Sequence, residues 1–84
     1  MDLKDLDIVE KAQEKKDFAK VVGARIKEVR KENGLTQEKL AEVAGYDSAY
    51  IGHVETGRYS PSVYTVWRMA KAMKIDISEL LRGL

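Results

Sequence analysis

The sequence of 84 residues contains no cysteine, one proline and one histidine, and each scarcity excludes a class of protein. Without cysteine, neither a disulfide framework nor a thiolate metal site can form. A single histidine, His53, excludes a metal site built from several histidines. No apolar run approaches the roughly 18 residues of a membrane span, and the first residues are charged. We therefore expect a cytoplasmic protein with no metal, no cofactor and no membrane partner.

The charge is nearly balanced but unevenly distributed. The net charge is +1; residues 1–17 hold six acidic and four basic side chains, and residues 18–84 hold eleven basic and eight acidic ones. This mild basic excess is compatible with a polyanionic partner, although charge alone does not establish one. We divide the chain into a charged N-terminal extension, residues 1–17, and one domain, residues 18–84. The extension is predicted to be a solvated or fraying helix; the alternative is a dedicated interaction arm.

Apolar spacing and helix-end signals predict five helices and no strand, an all-α class. The side chains predicted to face the core from helix one and helix four follow helical spacing: Phe18, Val22, Ile26, Val29, Val63, Val66, Met69, Ala70 and Met73. The residues predicted to begin or end helices are capping residues and glycines: Gly34, Thr36, Gly45, Asp47, Gly57, the segment Ser60-Pro61-Ser62 and Asp76.

Helix three, predicted over residues 48–56, has an apolar side and a small, exposed side. On a wheel of about 100° per residue the apolar side consists of Tyr50, Ile51 and Val54. The exposed side consists of Ser48, Ala49, Gly52 and His53. Ala41 in helix two allows close crossing, and Gly45 permits a sharp turn between the helices. A tight helix pair with the outer face of its second helix bare is typical of a helix-turn-helix, whose second helix enters the major groove of DNA.

The stretch LTQEKLAEVAGYDSAYIGHVETGRYSPSVYTVWRMAKAMKIDISELL resembles the Cro/C1-type (XRE-family) helix-turn-helix domain. The resemblance covers roughly Val22 to Leu81. The matching elements come in the order and spacing of the family: Thr36-Gln37, Leu40-Ala41, Gly45, Ile51, Glu55-x-Gly57, Pro61, Ala70 and Leu80. The resemblance implies a compact five-helix, lambda-repressor-like fold. It also implies a small dimeric transcriptional regulator that binds double-stranded DNA at a palindromic operator.

The same resemblance implies roles for individual residues. The positions that match base-reading residues are Ser48, Ala49, Gly52 and His53. The positions that the resemblance gives for DNA phosphate contacts are Gln37, Thr56, Arg58, Tyr59 and Ser60. Lys39 is added because its positive charge is expected near the reading face. Unlike many relatives, the reading face has no Gln, Arg or Asn, so we expect DNA shape to supply much of the specificity.

Glu55 is predicted to form a buried ion pair. It lies in the last turn of helix three, where a carboxylate opposes the helix dipole, so a cation is needed nearby. The resemblance implies Arg30 as that cation, and we interpret both residues as structural.

The predicted homodimer interface lies late in the chain, because apolar residues remain there after the core is filled. Its residues are Ile77, Leu81 and Leu84, with Trp67 beside them. The apolar line Leu3, Leu6 and Val9 is the competing site.

Two functions remain open: a sequence-specific DNA-binding regulator, and a module of the same fold that acts through protein contacts, such as an antitoxin-like partner. An enzyme is disfavoured because neither a Ser-His-Asp arrangement nor a nucleotide loop is visible. We expect control through abundance, a partner or the N-terminal segment, and no small-molecule ligand.

Overall fold

The computed structural model describes residues 3–84, and the side chains of residues 10–84. This part of the chain is all-helical, as predicted, with the elements α1 (Leu3–Glu32), α2 (Gln37–Ala44), α3 (Ser48–Glu55), α4 (Val63–Ala72) and α5 (Ser78–Leu81). At 1.5 Å per residue α1 is about 45 Å long, so it determines the long dimension of 49 Å. Between residues 3 and 84, no helix is at once long enough and apolar enough to cross a membrane.

All five helices contribute to one apolar core. Its largest fully buried side chains are Val22, Ile26, Leu40, Ile51, Val54, Met69 and Leu80. Full burial of such a side chain stabilises the fold by about 1.5–3 kcal/mol. The helices α2 and α3 have only 8 residues each, fewer than the roughly 12–15 that an isolated helix needs. Core packing therefore holds both of them in place.

Two side chains predicted to be in the core are exposed instead. Phe18 is 44% exposed and Val63 is 75% exposed. Residues 10–18 of α1 are all exposed, and Ala19 is the first side chain of α1 that the rest of the protein covers. Val63 lies in the first turn of α4, and Pro61, just before that helix, is buried there. Both predictions were wrong because the helical spacing of apolar residues extends to positions that the rest of the protein does not cover.

The predicted helix ends are mostly found at the expected residues. Thr36 Oγ1 accepts a hydrogen bond from Lys39 N at 3.0 Å, and Ser62 Oγ accepts one from Thr65 N at 3.1 Å. Gly45 has a φ of 84°, and its N–H donates to Ala41 O at 2.8 Å. That left-handed conformation turns the chain sharply between α2 and α3.

The structure corrects the prediction that the side chain of Asp47 caps α3. Asp47 precedes α3 with an extended backbone, but its side chain accepts no capping hydrogen bond. The residue is exposed, so water can satisfy its carboxylate.

The helix α5 begins at Ser78, two residues after the predicted capping residue Asp76. Asp76 Oδ1 accepts a hydrogen bond from Ser78 N at 2.8 Å. Bonding to this backbone N–H lowers the pKa of the Asp76 carboxyl below its ordinary value, because the bond favours the charged form.

Gly23 marks the place where α1 crosses the end of α3. A Cβ built on Gly23 would overlap the carbonyl oxygen of Val54 and lie 2.8 Å from that of Glu55. Both obstacles are backbone atoms, so they cannot move aside as a flexible side chain would. The close approach of α1 to α3 therefore requires glycine at this position, which helical periodicity alone does not reveal.

Candidate functional site

The exposed face of α3 carries the four residues predicted to read bases. Ser48 and Ala49 are exposed, and Gly52 and His53 are half-buried. On the opposite side of the helix Ile51 and Val54 are fully buried. The core thus anchors α3 by one side and leaves a smooth surface of small residues on the other.

A buried ion pair lies under the end of α3. Arg30 Nε donates to Glu55 Oε2 at 2.6 Å, and Arg30 Nη2 donates to Glu55 Oε1 at 3.1 Å. Only 8% of the Arg30 side chain and 1% of the Glu55 side chain are exposed. Arg30 Nη1 also donates to Leu35 O at 2.8 Å. This two-point geometry links α1, the loop after it and α3, and it leaves neither charge unpaired.

Gln37 joins the same network from the first turn of α2. Its Nε2 donates to Glu55 Oε1 at 3.0 Å, and its side chain is half-buried. The amide group has two N–H donors, so one donor remains for a ligand. Gln37 also lies beside Gly52, because a Cβ built there would be 3.7 Å from the amide nitrogen and oxygen of Gln37. The network therefore orients the predicted phosphate contact next to the reading face.

His53 is oriented by an aromatic cluster. The ring centroids of His53 and Tyr59 are 5.1 Å apart in an edge-to-face arrangement. Tyr59 lies 6.0 Å from Tyr50, which stacks on Tyr46 at 5.2 Å. Such pairs contribute about 0.5–1.5 kcal/mol each beyond the area that they bury. The cluster restricts where the imidazole, the one long polar side chain of the exposed face, can point.

The loop after α3 presents the other residues predicted to contact phosphates. Thr56, Arg58, Tyr59 and Ser60 are all exposed. Thr56 Oγ1 donates to His53 O at 3.2 Å, and the Arg58 guanidinium lies 6.0 Å from the centre of the Tyr59 ring.

Lys39, on α2, has an acidic neighbour. Its Nζ lies 3.7 Å from Glu42 Oε1, and the two side chains are 55% and 73% exposed. An ion pair this exposed contributes at most about 1 kcal/mol, so it leaves Lys39 able to meet another anion.

The residues predicted for the dimer interface differ in exposure. Ile77 and Leu81 are half-buried and pack against the core, whereas Leu84 is 54% exposed and Trp67 is 44% exposed. Tyr64 lies 6.0 Å from Trp67, ring centre to ring centre, and Lys71 Nζ lies 5.0 Å from the Trp67 ring. The competing residues Leu3, Leu6 and Val9 lie outside the side chains that the structure describes.

Arg68 was not singled out from the sequence. Its Nε donates to Ala44 O, at the end of α2, at 2.8 Å. It also approaches the turn itself, since a Cβ on Gly45 would be 3.3 Å from Arg68 Nη2. Arg68 therefore satisfies a carbonyl that the helix end leaves free and couples α4 to the α2–α3 turn. The only sequence signal would be its basic side chain on α4, which does not indicate a partner 24 residues away.

Comparisons with known proteins identify the family and the fold. Residues 26–80 match the helix-turn-helix family HTH_3. The uncharacterized HTH-type transcriptional regulator y4dJ of Sinorhizobium fredii is 35% identical over 65 residues, covering 77% of this chain and 84% of the regulator. The immunity repressor protein of Bacillus phage phi105 is 43% identical over 60 residues, covering 71% of this chain but only 42% of the repressor.

A solved structure shares the fold. The restriction-modification controller protein C.AhdI from Aeromonas hydrophila superposes with a TM-score of 0.71 and 37% identity. The superposition covers 74% of this chain and 94% of that one.

Proposed function

The chain belongs to the helix-turn-helix family of Cro/C1-type DNA-binding transcriptional regulators, and we propose that it acts as a homodimer on a palindromic operator with α3 in the major groove. In this proposal it is a cytoplasmic, non-catalytic protein that requires no cofactor and no small-molecule ligand.

The exposed face of α3 is the observation that carries the proposal. A major groove about 12 Å wide accepts an α-helix, and small residues let the helix backbone approach the base edges. Ser48 can hydrogen-bond to several bases, and the Ala49 methyl group suits the methyl group of thymine. His53, held by Tyr59, supplies the one long polar contact. With so few polar readers, sequence-dependent DNA shape supplies much of the specificity.

Polar groups on both sides of this face suit the phosphate backbone. Gln37 and Lys39 lie in the first turns of α2, where free N–H groups and the helix dipole favour anions. Thr56, Arg58, Tyr59 and Ser60 follow the other end of α3 and are exposed. Phosphate contacts at both ends would fix the orientation of α3, and base contacts would then select the sequence.

A dimer follows from the small footprint of one reading helix. Two copies related by a two-fold axis would read half-sites about 34 Å apart, and their symmetry would appear in the operator. Exposed apolar surface at Trp67 and Leu84, next to the half-buried Ile77 and Leu81, supports an interface around α4 and α5.

Selection of bound duplexes from a random pool by the purified protein tests the proposal. We expect an enriched palindrome with half-site centres about one helical turn apart. The matched control is Ala49→Glu, which places a carboxylate at the exposed face and should abolish enrichment while leaving the circular dichroism spectrum unchanged. If the native chain enriches no sequence, the proposal is wrong, and capture of a protein partner by the same chain would favour the protein-interaction module.

A further inference from the structure

A groove of about 620 Å³ separates the N-terminal half of α1 from the loop after α3. Lys15 and Lys16 of α1 line one wall, and Arg58, Tyr59 and Ser60 line the other. Residues 15 and 16 precede residue 26, where the family match begins. The groove therefore joins a segment outside the family match to the loop that the proposed function assigns to the DNA backbone.

Charge on this part of α1 is segregated by face. At about 100° per residue, Lys15 and Lys16 lie within about 60° of Ala12, on the side of α1 that lines the groove. The acidic residues Glu10, Glu14 and Asp17 of the same segment lie about 140–160° from Ala12, on the opposite side of the helix. Asp17 is further engaged there by Gln13, whose Nε2 donates to its Oδ1 at 3.0 Å. Between residues 10 and 20 the acidic side chains thus lie on the side of α1 away from the groove, and the lysines lie on the side that lines it.

The two walls are held at a defined separation. Ala19, at the base of the groove, is only 3% exposed. One residue later, the stem of Lys20 packs against Gly57, because a Cβ on Gly57 would lie 2.7 Å from Lys20 Cγ. Gly57 has a φ of 79°, and this positive φ also favours glycine there. Small residues and a tight contact therefore position the lysines relative to Arg58.

We propose that this groove binds the DNA phosphate backbone beside the half-site read by α3, with Lys15 and Lys16 as phosphate contacts that extend the footprint. This inference rests on the proposed function. Two observations select DNA as the occupant: the charge of the groove is complementary to phosphate, and its second wall is continuous with the proposed contact loop. Each lysine that neutralises a phosphate releases condensed counterions, so the contacts have a measurable salt signature.

The experiment measures the affinity of the full chain for its selected duplex as a function of salt concentration. In a plot of log K against log salt concentration for the dimer on its two half-sites, each contact contributes about 0.9 per protomer. Lys15→Gln and Lys16→Gln should therefore each reduce the slope by about 1.8, and the double variant by about 3.6. The selected sequence should not change, because phosphate contacts carry no direct sequence information. The matched control is Lys11→Gln, which removes a charge from the same helix outside the groove and should leave the slope unchanged. Lys15→Arg with Lys16→Arg should also keep the native slope.

The outcomes separate this inference from the proposed function. If the native chain selects a duplex but the double glutamine variant keeps its slope, the groove does not contact phosphate and the proposed function stands. If the double variant changes the sedimentation equilibrium of the free protein instead of the slope, the groove binds a protein chain and this inference is overturned. If the native chain binds no duplex, both proposals fail.

Discussion

Gln37 lies across Gly52: its amide nitrogen and oxygen are each 3.7 Å from the position that a Cβ on Gly52 would occupy. This is an ordinary van der Waals distance, so the fold has room for a methyl group there. Glycine in the middle of a helix is nevertheless less favourable than alanine by about 0.8–1.0 kcal/mol. The packing of the free protein gives no reason for this cost, whereas the proposed close approach of α3 to DNA would give one.

Gly52→Ala should therefore raise the free energy of unfolding by up to about 1 kcal/mol and weaken binding to the selected duplex. Urea denaturation measures the first effect, and titration of labelled duplex measures the second. A more stable variant with native affinity would show that Gly52 is only a weak point of the helix.

Breaking the buried pair should destabilise the protein strongly. Arg30→Met and Glu55→Gln should each lower the free energy of unfolding by about 3–5 kcal/mol, because the remaining partner loses its compensation in a buried place. Lys39→Gln is the control, since it breaks the exposed pair with Glu42 and should cost at most about 1 kcal/mol. Denaturant midpoints of the three variants measure these losses. If the Arg30 and Glu55 variants lose no more than about 0.5 kcal/mol, the buried pair does not stabilise the fold in this way.

His53 and Arg58 should affect DNA binding in different ways. His53→Ala should reduce the base preference at one position of each half-site. It should weaken the binding free energy by about 1–3 kcal/mol for duplexes that carry the preferred base there. Arg58→Ala should weaken binding to all duplexes alike and reduce the salt slope by about one unit per half-site. Affinities for a panel of single-base variants at several salt concentrations separate the two. Uniform weakening by both substitutions would exclude His53 as a base reader.

The native chain should be a dimer at micromolar concentration in sedimentation equilibrium. Trp67→Lys with Leu84→Lys should produce monomers of native helix content, because these exposed side chains do not fill the core. Leu81 packs against the core, so charging it would confuse dissociation with unfolding. A chain lacking residues 1–16 is the control for the competing site at Leu3, Leu6 and Val9. The proposed interface is wrong if the native chain is monomeric, or if only this deletion dissociates it.

Gly23→Ala tests whether helix propensity or steric overlap with α3 determines the stability of α1 at this position. Propensity alone predicts a gain of up to about 1 kcal/mol, whereas overpacking against two backbone carbonyls predicts a loss of about 1–3 kcal/mol or more. We expect a loss. Ala24→Gly, at the exposed neighbouring position, should cost only about 1 kcal/mol by propensity. A gain in the unfolding midpoint for Gly23→Ala would mean that α1 can move away from α3.

Local chemistry determined the helices and most of their ends. Gly34, Gly45 and Gly57 follow predicted helices and have φ values of 70°, 84° and 79°, a conformation that glycine adopts without steric cost. Thr36 caps as predicted, and Ser62 is the cap within the predicted opening segment Ser60-Pro61-Ser62, because a cap needs only a backbone N–H three residues away. The buried and exposed sides of α3 follow from helical periodicity, since Ile51 and Val54 are buried while Ser48 and Ala49 are exposed.

Only the tertiary structure determined the features that depend on how the helices pack against one another. Helical periodicity could not indicate that Phe18 and Val63 are exposed. It depends on the sequence of one helix alone and says nothing about which other elements cover that helix. Gly23 looks like any helical glycine until α1 crosses the carbonyl groups of α3. The same holds for the bond from Arg68 to Ala44 and for the groove that brings Lys15 near Arg58. These contacts join residues more than 20 positions apart, and only core packing, which acts between helices and not along the chain, determines which of them meet.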